Sequence, residues 1–257
     1  MIESRITIGN KKLVNNKKAF PLAGNPNIAF DQLEIFERKQ GRIVKSEYYS
    51  ITEIKTLNKE KATIIKSDLK NITSKRKNIL NLKFDNTEIM GVLNITPDSF
   101  SDGGLFFEES KAYDQASSMI QSGAKIIDIG GESTKPGSKT INEKEEWERI
   151  KNTIIKLKKN FPKTLLSLDT RKSHVMRNGI EKGIDIINDV SGLKFDNKSF
   201  DIIKLKNVPF ILHHMQGTPD TMQKNPKYED VLLDIYDFFE EKINFCLRKK
   251  YKKNSII

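Results

Sequence analysis

A parallel α/β fold of the (β/α)8, TIM-barrel type is predicted from about residue 78 onward, and two observations carry the prediction. Short apolar strands alternate with amphipathic helices, a pattern that builds right-handed βαβ units on a parallel sheet. Polar residues gather after each strand, at Asn94 and at residues 131–137, 169–172, 188–191 and 213–217. Loops collected at one rim form the functional face of such a barrel. A third observation limits the first two. A barrel of this type closes with eight strands, and the sequence reaches only the start of a sixth. The expected architecture is an incomplete barrel of about five βα units over residues 78–257. A small α+β extension over residues 1–77 precedes it.

Residues 1–77 are the less regular part. Arg5-Ile6-Thr7-Ile8, Ile51-Thr52-Glu53-Ile54 and Ala62-Thr63-Ile64-Ile65 read as small strands between polar turns. Residues 19–26 read as a loop and residues 28–37 as a short helix. No chemical motif stands out there. Ile79-Leu80-Asn81-Leu82-Lys83-Phe84 alternates and turns at Asp85-Asn86, which predicts a hairpin with the strand that opens at Met90. Met90-Gly91-Val92-Leu93 is continuously apolar, as in a strand covered on both faces, and stops at Asn94.

The repeating units follow in order. A helix over 111–121 places Ala112, Ala116, Met119 and Ile120 on one face and ends at Gly123. Residues 125–130 form the next strand. Asn142 with Glu145 makes a capping box for a helix whose apolar stripe is Trp147, Ile150, Ile154 and Leu157. Strands at 165–169, 184–189 and 208–214 alternate with helices at 173–182, through Phe200 and Ile203, and at 229–250. Ser255-Ile256-Ile257 opens a sixth strand.

Composition narrows the function classes. Among 257 residues, 37% are hydrophobic and 31% charged, enough for a sizeable core under a soluble surface. No apolar run reaches the length of a membrane span, and residues 1–10 lack the apolar stretch of a signal peptide. A single cysteine, Cys246, excludes an intramolecular disulfide framework and fits a reducing compartment, so a cytoplasmic setting without a membrane partner is expected. The net charge of +11 raises the question of nucleic acid. The lysines are dispersed, however, and no nucleic-acid motif accompanies them. No nucleic-acid partner is expected, and an anionic small substrate is the simpler use of the charge.

Five loop motifs occur in order. They are Gly91-Val92-Leu93-Asn94-Ile95-Thr96-Pro97-Asp98-Ser99-Phe100-Ser101-Asp102-Gly103-Gly104, Asp128-Ile129-Gly130-Gly131-Glu132-Ser133-Thr134-Lys135-Pro136-Gly137, Ser167-Leu168-Asp169-Thr170, Ile187-Asn188-Asp189 and His214-Met215-Gln216-Gly217-Thr218-Pro219. Together they resemble the dihydropteroate synthase family, a TIM-barrel family of folate biosynthesis. An ordered set of five is far more specific than any one of them. The resemblance implies condensation of 6-hydroxymethyl-7,8-dihydropterin diphosphate with 4-aminobenzoate, giving dihydropteroate and diphosphate. It implies Mg²⁺ held by Asn94 with Asp102, and Asp169 and Asn188 as the catalytic pair at the pterin. Thr134 is implied at the pterin diphosphate, with Met215 a further pterin contact. Ser99, Phe100, Ser101, Thr134 and Pro136 fall on the two loops that close over aminobenzoate. A homodimer is usual in the family.

Taken singly, each residue has a plainer reading. Asn94 alone is a strand-end Asx turn, Asp169 and Asn188 are helix caps or turn formers, and Met215 is core filler. His213 and His214 suggest a metal pair, but adjacent strand residues face opposite ways. Lys135 stands where the family usually has Arg, keeping the charge without the planar fork. The family also continues with an Asp-Pro-Gly-x-Gly-Phe-Gly-Lys strand and loop, a Ser-Arg-Lys motif and a final Arg-x-His. Their absence predicts a chain cut short and inactive or very weak alone. Two rival functions share the pterin groups, a methyltetrahydrofolate–corrinoid methyltransferase and a non-catalytic pterin-binding homologue. The loops at 99–104 and 133–137 suit aminobenzoate and diphosphate better than a corrinoid partner.

Overall fold

The computed structural model describes residues 2–8, 11–39, 42–54, 56–57, 59–84, 86–96, 104–133, 140–218, 221–223 and 225–257. The chain divides into two units, Met1–Asn78 with Lys83–Asn86, and Ile79–Leu82 with Thr87–Ile257. The first is an antiparallel sheet of β1 (Ile2–Ile8), β2 (Phe20–Leu22), β3 (Asn25–Lys39) and β4 (Arg42–Ser50), with helices α1 (Lys11–Asn15), α2 (Ile51–Ile54) and α3 (Lys59–Thr73). β3 pairs with all three other strands. Phe30 and Leu33 of β3 share a core with Ile54, Ile65 and Leu69.

Most of the first unit departs from the sequence reading. Residues 28–37 are strand rather than helix. The run is rich in Ile and Phe, and pairing with β1 and β4 decides its state. Ile51–Ile54 is a helical turn rather than a strand. Glu53 N–H donates to Ser50 Oγ at 3.3 Å and Ser50 N–H donates to Glu53 Oε2 at 2.7 Å, a reciprocal capping box. The expected strand at 62–65 lies inside α3, where Ile65, Leu69 and Ile72 recur at helical spacing. Residues 20–22 and 25–26 are strand rather than loop.

The second unit alternates β5 (Met90–Asn94), α4 (Gly104–Gln121), β6 (Ile126–Gly130), α5 (Glu143–Asn160), β7 (Leu165–Asp169), α6 (Ser173–Glu181), β8 (Ile186–Asp189), α7 (Ser199–Lys206), β9 (Phe210–Leu212) and α8 (Val231–Arg248). All five strands are parallel, in the order β5-β6-β7-β8-β9. This is an open arc of the (β/α)8 type. The sixth strand begins at Ile256, bridged in parallel to Phe210, while Ser255 closes a 3-10 turn over Lys253–Ser255. Ile257 N–H donates to the Phe210 carbonyl at 2.9 Å and Leu212 N–H to the Ile257 carbonyl at 3.0 Å. Asn142 caps α5 by accepting from Glu145 N–H at 2.9 Å, and Ile150, Ile154 and Leu157 of that helix are fully buried in the core with Ile127, Ile129, Leu166 and Leu168.

Two expectations fail in this unit. Ile79 and Leu82 make one antiparallel bridge around a tight turn at Leu80, whose φ is +53°, and among the described residues this stretch does not pair with β5. Both bridge residues are buried, so the turn needs no strand partner. β5 is also not covered on both faces. Leu93 is fully buried, whereas Met90 is 37% and Val92 56% exposed, and among the described residues β5 pairs with β6 alone.

The register sets up everything that follows. Asn94 lies opposite Gly130, Gly130 opposite Asp169, and Asp169 opposite Asn188. Residues in register on adjacent parallel strands share a face, so one row crosses four strands at their C-terminal ends.

Candidate functional site

The row is polar because each strand ends there and hands over to a loop. Gly130 keeps it open: a Cβ at that position would lie 3.4 Å from Asn94 Oδ1 and 3.6 Å from Asp169 Oδ2. An amide oxygen and a carboxylate oxygen therefore flank a notch with no side chain in it. Asn188, the next member, is buried and held on two sides. Its Nδ2 donates to Asp128 Oδ2 at 2.8 Å, and its Oδ1 lies 2.6 Å from His213 Nε2. Asp128, two residues before Gly130 on β6, points to the same face.

Too many carboxyl groups meet here for all to ionise easily. Burial pushes the Asp169 carboxyl up to about 8, and Asp128, Glu146, Asp189 and Glu132 push the same way. Asp169 itself keeps some exposed surface at the strand end. Burial also raises Asp128, against the hydrogen bond from Asn188 and the charge of His213. Asp189 faces away and organises its own loop. It accepts from Ser191 N–H at 2.9 Å, Ser191 Oγ at 2.6 Å and Leu193 N–H at 3.1 Å.

Beside the row lies a buried ionic cluster. Glu132 accepts from Arg171 Nη2 at 2.8 Å and Lys172 Nζ at 2.9 Å, and Lys172 also bonds Glu146. All four side chains are at most 7% exposed. Glu132 further accepts from Ile141 N–H at 3.0 Å. One carboxylate thus joins both ends of the β6–α5 connection to the start of α6.

Of the residues singled out by sequence, Asn94, Asp169 and Asn188 come together. Met215 sits half-buried in the loop after β9. Ser99, Phe100, Ser101, Asp102, Thr134, Lys135 and Pro136 lie outside the described residues. His213 and His214 do face opposite ways. The His214 ring packs on Phe238 with centroids 4.9 Å apart, while His213 meets Asn188. Among the described residues no group of three or more His, Cys, Asp or Glu side chains is placed to hold a metal ion. Sequence reasoning missed Asp128, although its parity with Gly130 places it on the row's face. It also missed His213 as a partner of Asn188, for which the sequence carries no signal.

Comparison with known proteins fits this geometry. Residues 90–257 match the family model described as pterin binding enzyme. The dihydropteroate synthase of Haemophilus influenzae is 43% identical over 170 residues, covering 66% of this chain and 61% of that one. The structure of Yersinia pestis dihydropteroate synthase with a sulfonamide drug complex is similar at TM-score 0.62 and 38% identity, covering 68% of this chain and 62% of that one. The Xanthomonas albilineans dihydropteroate synthase structure with 4-aminobenzoic acid is similar at TM-score 0.62 and 34% identity, covering 68% and 61%. The chain spans about three fifths of the length of these relatives.

Proposed function

The chain belongs to the family of pterin-binding enzymes, and from that membership we propose that it serves the dihydropteroate synthase reaction, contributing the pterin side of the site. In that reaction the amino nitrogen of 4-aminobenzoate bonds to the exocyclic methylene carbon of the pterin. The bond from that carbon to the diphosphate oxygen breaks, diphosphate leaves with the electron pair, and the nitrogen loses one proton. The observation that carries the reading is the row Asn94, Gly130, Asp169 and Asn188 in register on four strands.

A pterin ring presents N–H donors beside carbonyl and ring-nitrogen acceptors, an edge that a carboxylate and an amide can read together. Asp169 accepts ring N–H groups. Its carboxyl is high in the free site, and donors from a bound ring favour the ionised form. The same negative charge lies close to the positive charge that develops on the pterin methylene as diphosphate departs. Asn188 offers one remaining N–H and one remaining lone pair to the ring. The open notch over Gly130 leaves Asn94 Oδ1 accessible at the end of β5. A single amide oxygen fits Mg²⁺, which keeps several waters and takes one or two protein ligands with substrate phosphate oxygens. When bound there, with Asp102 as the other proposed ligand, the ion would neutralise the diphosphate. A cytoplasmic setting belongs to the same reading. No helix among the described residues is long and apolar enough to cross a membrane.

The test is titration of residues 1–257 with 6-hydroxymethylpterin by calorimetry. Saturable binding is expected, and Asn188→Ala is expected to weaken it by at least tenfold, since a buried ring edge loses both hydrogen-bond partners. Equal binding by Asn188→Ala would remove the pterin assignment from this row.

A further inference from the structure

We propose that His213 is a positioning residue that locks the Asn188 amide in one orientation, and so fixes which way round this site reads the edge of a bound ring. The argument starts from the two contacts of that amide. An Asn side chain can present its NH₂ and its carbonyl oxygen in either of two flipped positions, and the hydrogen-bond partners decide between them. Asp128 on β6 accepts from Nδ2 at 2.8 Å, and His213, following β9, meets Oδ1 at 2.6 Å. The flipped amide would turn its oxygen toward the Asp128 carboxylate, two acceptors face to face.

Asp128 alone does not settle the matter. Its carboxyl is buried, and a protonated Asp128 could donate to an amide oxygen. The imidazole removes that option. With hydrogen on Nε2 it can only donate, so it bonds an amide oxygen and repels an amide NH₂. A proton donor on one side and a carboxylate on the other agree on a single orientation.

His213 is itself held in place. Gly192, with φ +59°, approaches so closely that a Cβ there would lie 2.5 Å from the His213 carbonyl oxygen. Any side chain at 192 would push on the strand end that carries the imidazole. The consequence is directional. Asn188 presents nitrogen toward β6 and oxygen toward β9, so a ring must place an acceptor on the β6 side and a donor on the β9 side. This orientation rests on the pterin reading; the lock on the amide does not.

Nuclear magnetic resonance on residues 1–257 separates the two. In the ligand-free protein, nitrogen shifts of His213 are expected to show hydrogen on Nε2 at neutral pH. A bare Nε2 with hydrogen on Nδ1 would overturn the proposal without any variant. The side-chain NH₂ signal of Asn188, identified by its loss in Asn188→Ala, is expected to shift in His213→Leu. It should return toward its original position in His213→Gln, whose amide can donate from nearly the same point. An Asn188 signal indifferent to both changes would also overturn the proposal. With 6-hydroxymethylpterin as the probe, His213→Leu is expected to weaken binding about tenfold and His213→Gln by no more than about threefold. Wild-type protein that binds no pterin would sink the functional reading, while the amide and tautomer signals still decide the role of His213.

Discussion

Asp169→Asn is expected to stabilise the protein at neutral pH and to weaken pterin binding about 100-fold. In the folded state the Asp169 carboxyl sits at about 8, against 3.8 for an ordinary aspartate. Between those values the unfolded chain is ionised while the folded chain still holds its proton. The unfolded state therefore binds fewer protons, and stability falls as pH rises from about 4 to about 8. Each pH unit in that window is worth about 1.4 kcal/mol at most. Water at the partly exposed strand end and electrostatic coupling to Asp128 reduce this, and a gain on the order of 2 kcal/mol is expected for Asp169→Asn at pH 7. For a domain of this size that is a rise in Tm of about 4–8 °C. The same change replaces an acceptor-only carboxylate by an amide, which presents a donor to a donor. Pterin affinity is expected to fall about 100-fold. Thermal melts from pH 4 to 9 check the first part: the wild-type Tm should decline across that range relative to the variant. Parallel pH curves would show that Asp169 is not the buried proton.

The second large effect is expected at Lys172. Its ammonium is shared by Glu132 and Glu146 in a cluster shut off from water. Removing one partner of a buried ion pair leaves an uncompensated charge and typically costs about 3–5 kcal/mol. Lys172→Met removes the bridging cation and leaves Arg171 to face two carboxylates. Glu146, whose carboxyl burial already raises, is expected to take up a proton in the variant. The loss in urea midpoint should therefore be largest above pH 7 and shrink toward pH 5. Adding Glu146→Leu should recover most of the loss, because it removes the stranded carboxylate. A double variant no more stable than Lys172→Met would argue that the cost comes from packing and not from charge.

The second unit was legible because its signals are local and repeat. Ile150, Ile154 and Leu157 mark a helix face by spacing alone, and Asn142 marks its start. The Ile- and Leu-rich runs of β6 and β7, each interrupted by one polar residue (Asp128 and Ser167), still read directly as strands. The first unit was not legible because pairing overrides local preference there. β3 is a strand only because β1, β2 and β4 flank it, and those partners lie at distances that periodicity cannot see. One local signal was present and passed over, the Ser50–Glu53 capping box of α2. In the site, Asn94, Asp169 and Asn188 could be read because each ends an apolar strand. The role of His213 could not be read, since its contact with Asn188 depends on how β8 and β9 are aligned.

The row of site residues has no local part. Asp128 and Asn188 are 60 positions apart in the chain, and Asn188 and His213 are 25 apart. Any opening that separates two neighbouring strands takes the site apart, whereas fraying of a single loop or helix end leaves the row standing. A ligand seated on it therefore favours only states in which β5 to β9 are zipped together. At a hundredfold excess over Kd it would deepen the folded well by about 2.7 kcal/mol. That protection would appear as slower amide exchange along β6, β7 and β8 together, while amides that exchange by local fraying would be unaffected. Occupancy of the site thus acts as a clamp on the cooperativity of the sheet, and the ligand becomes a late structural component of the fold that binds it.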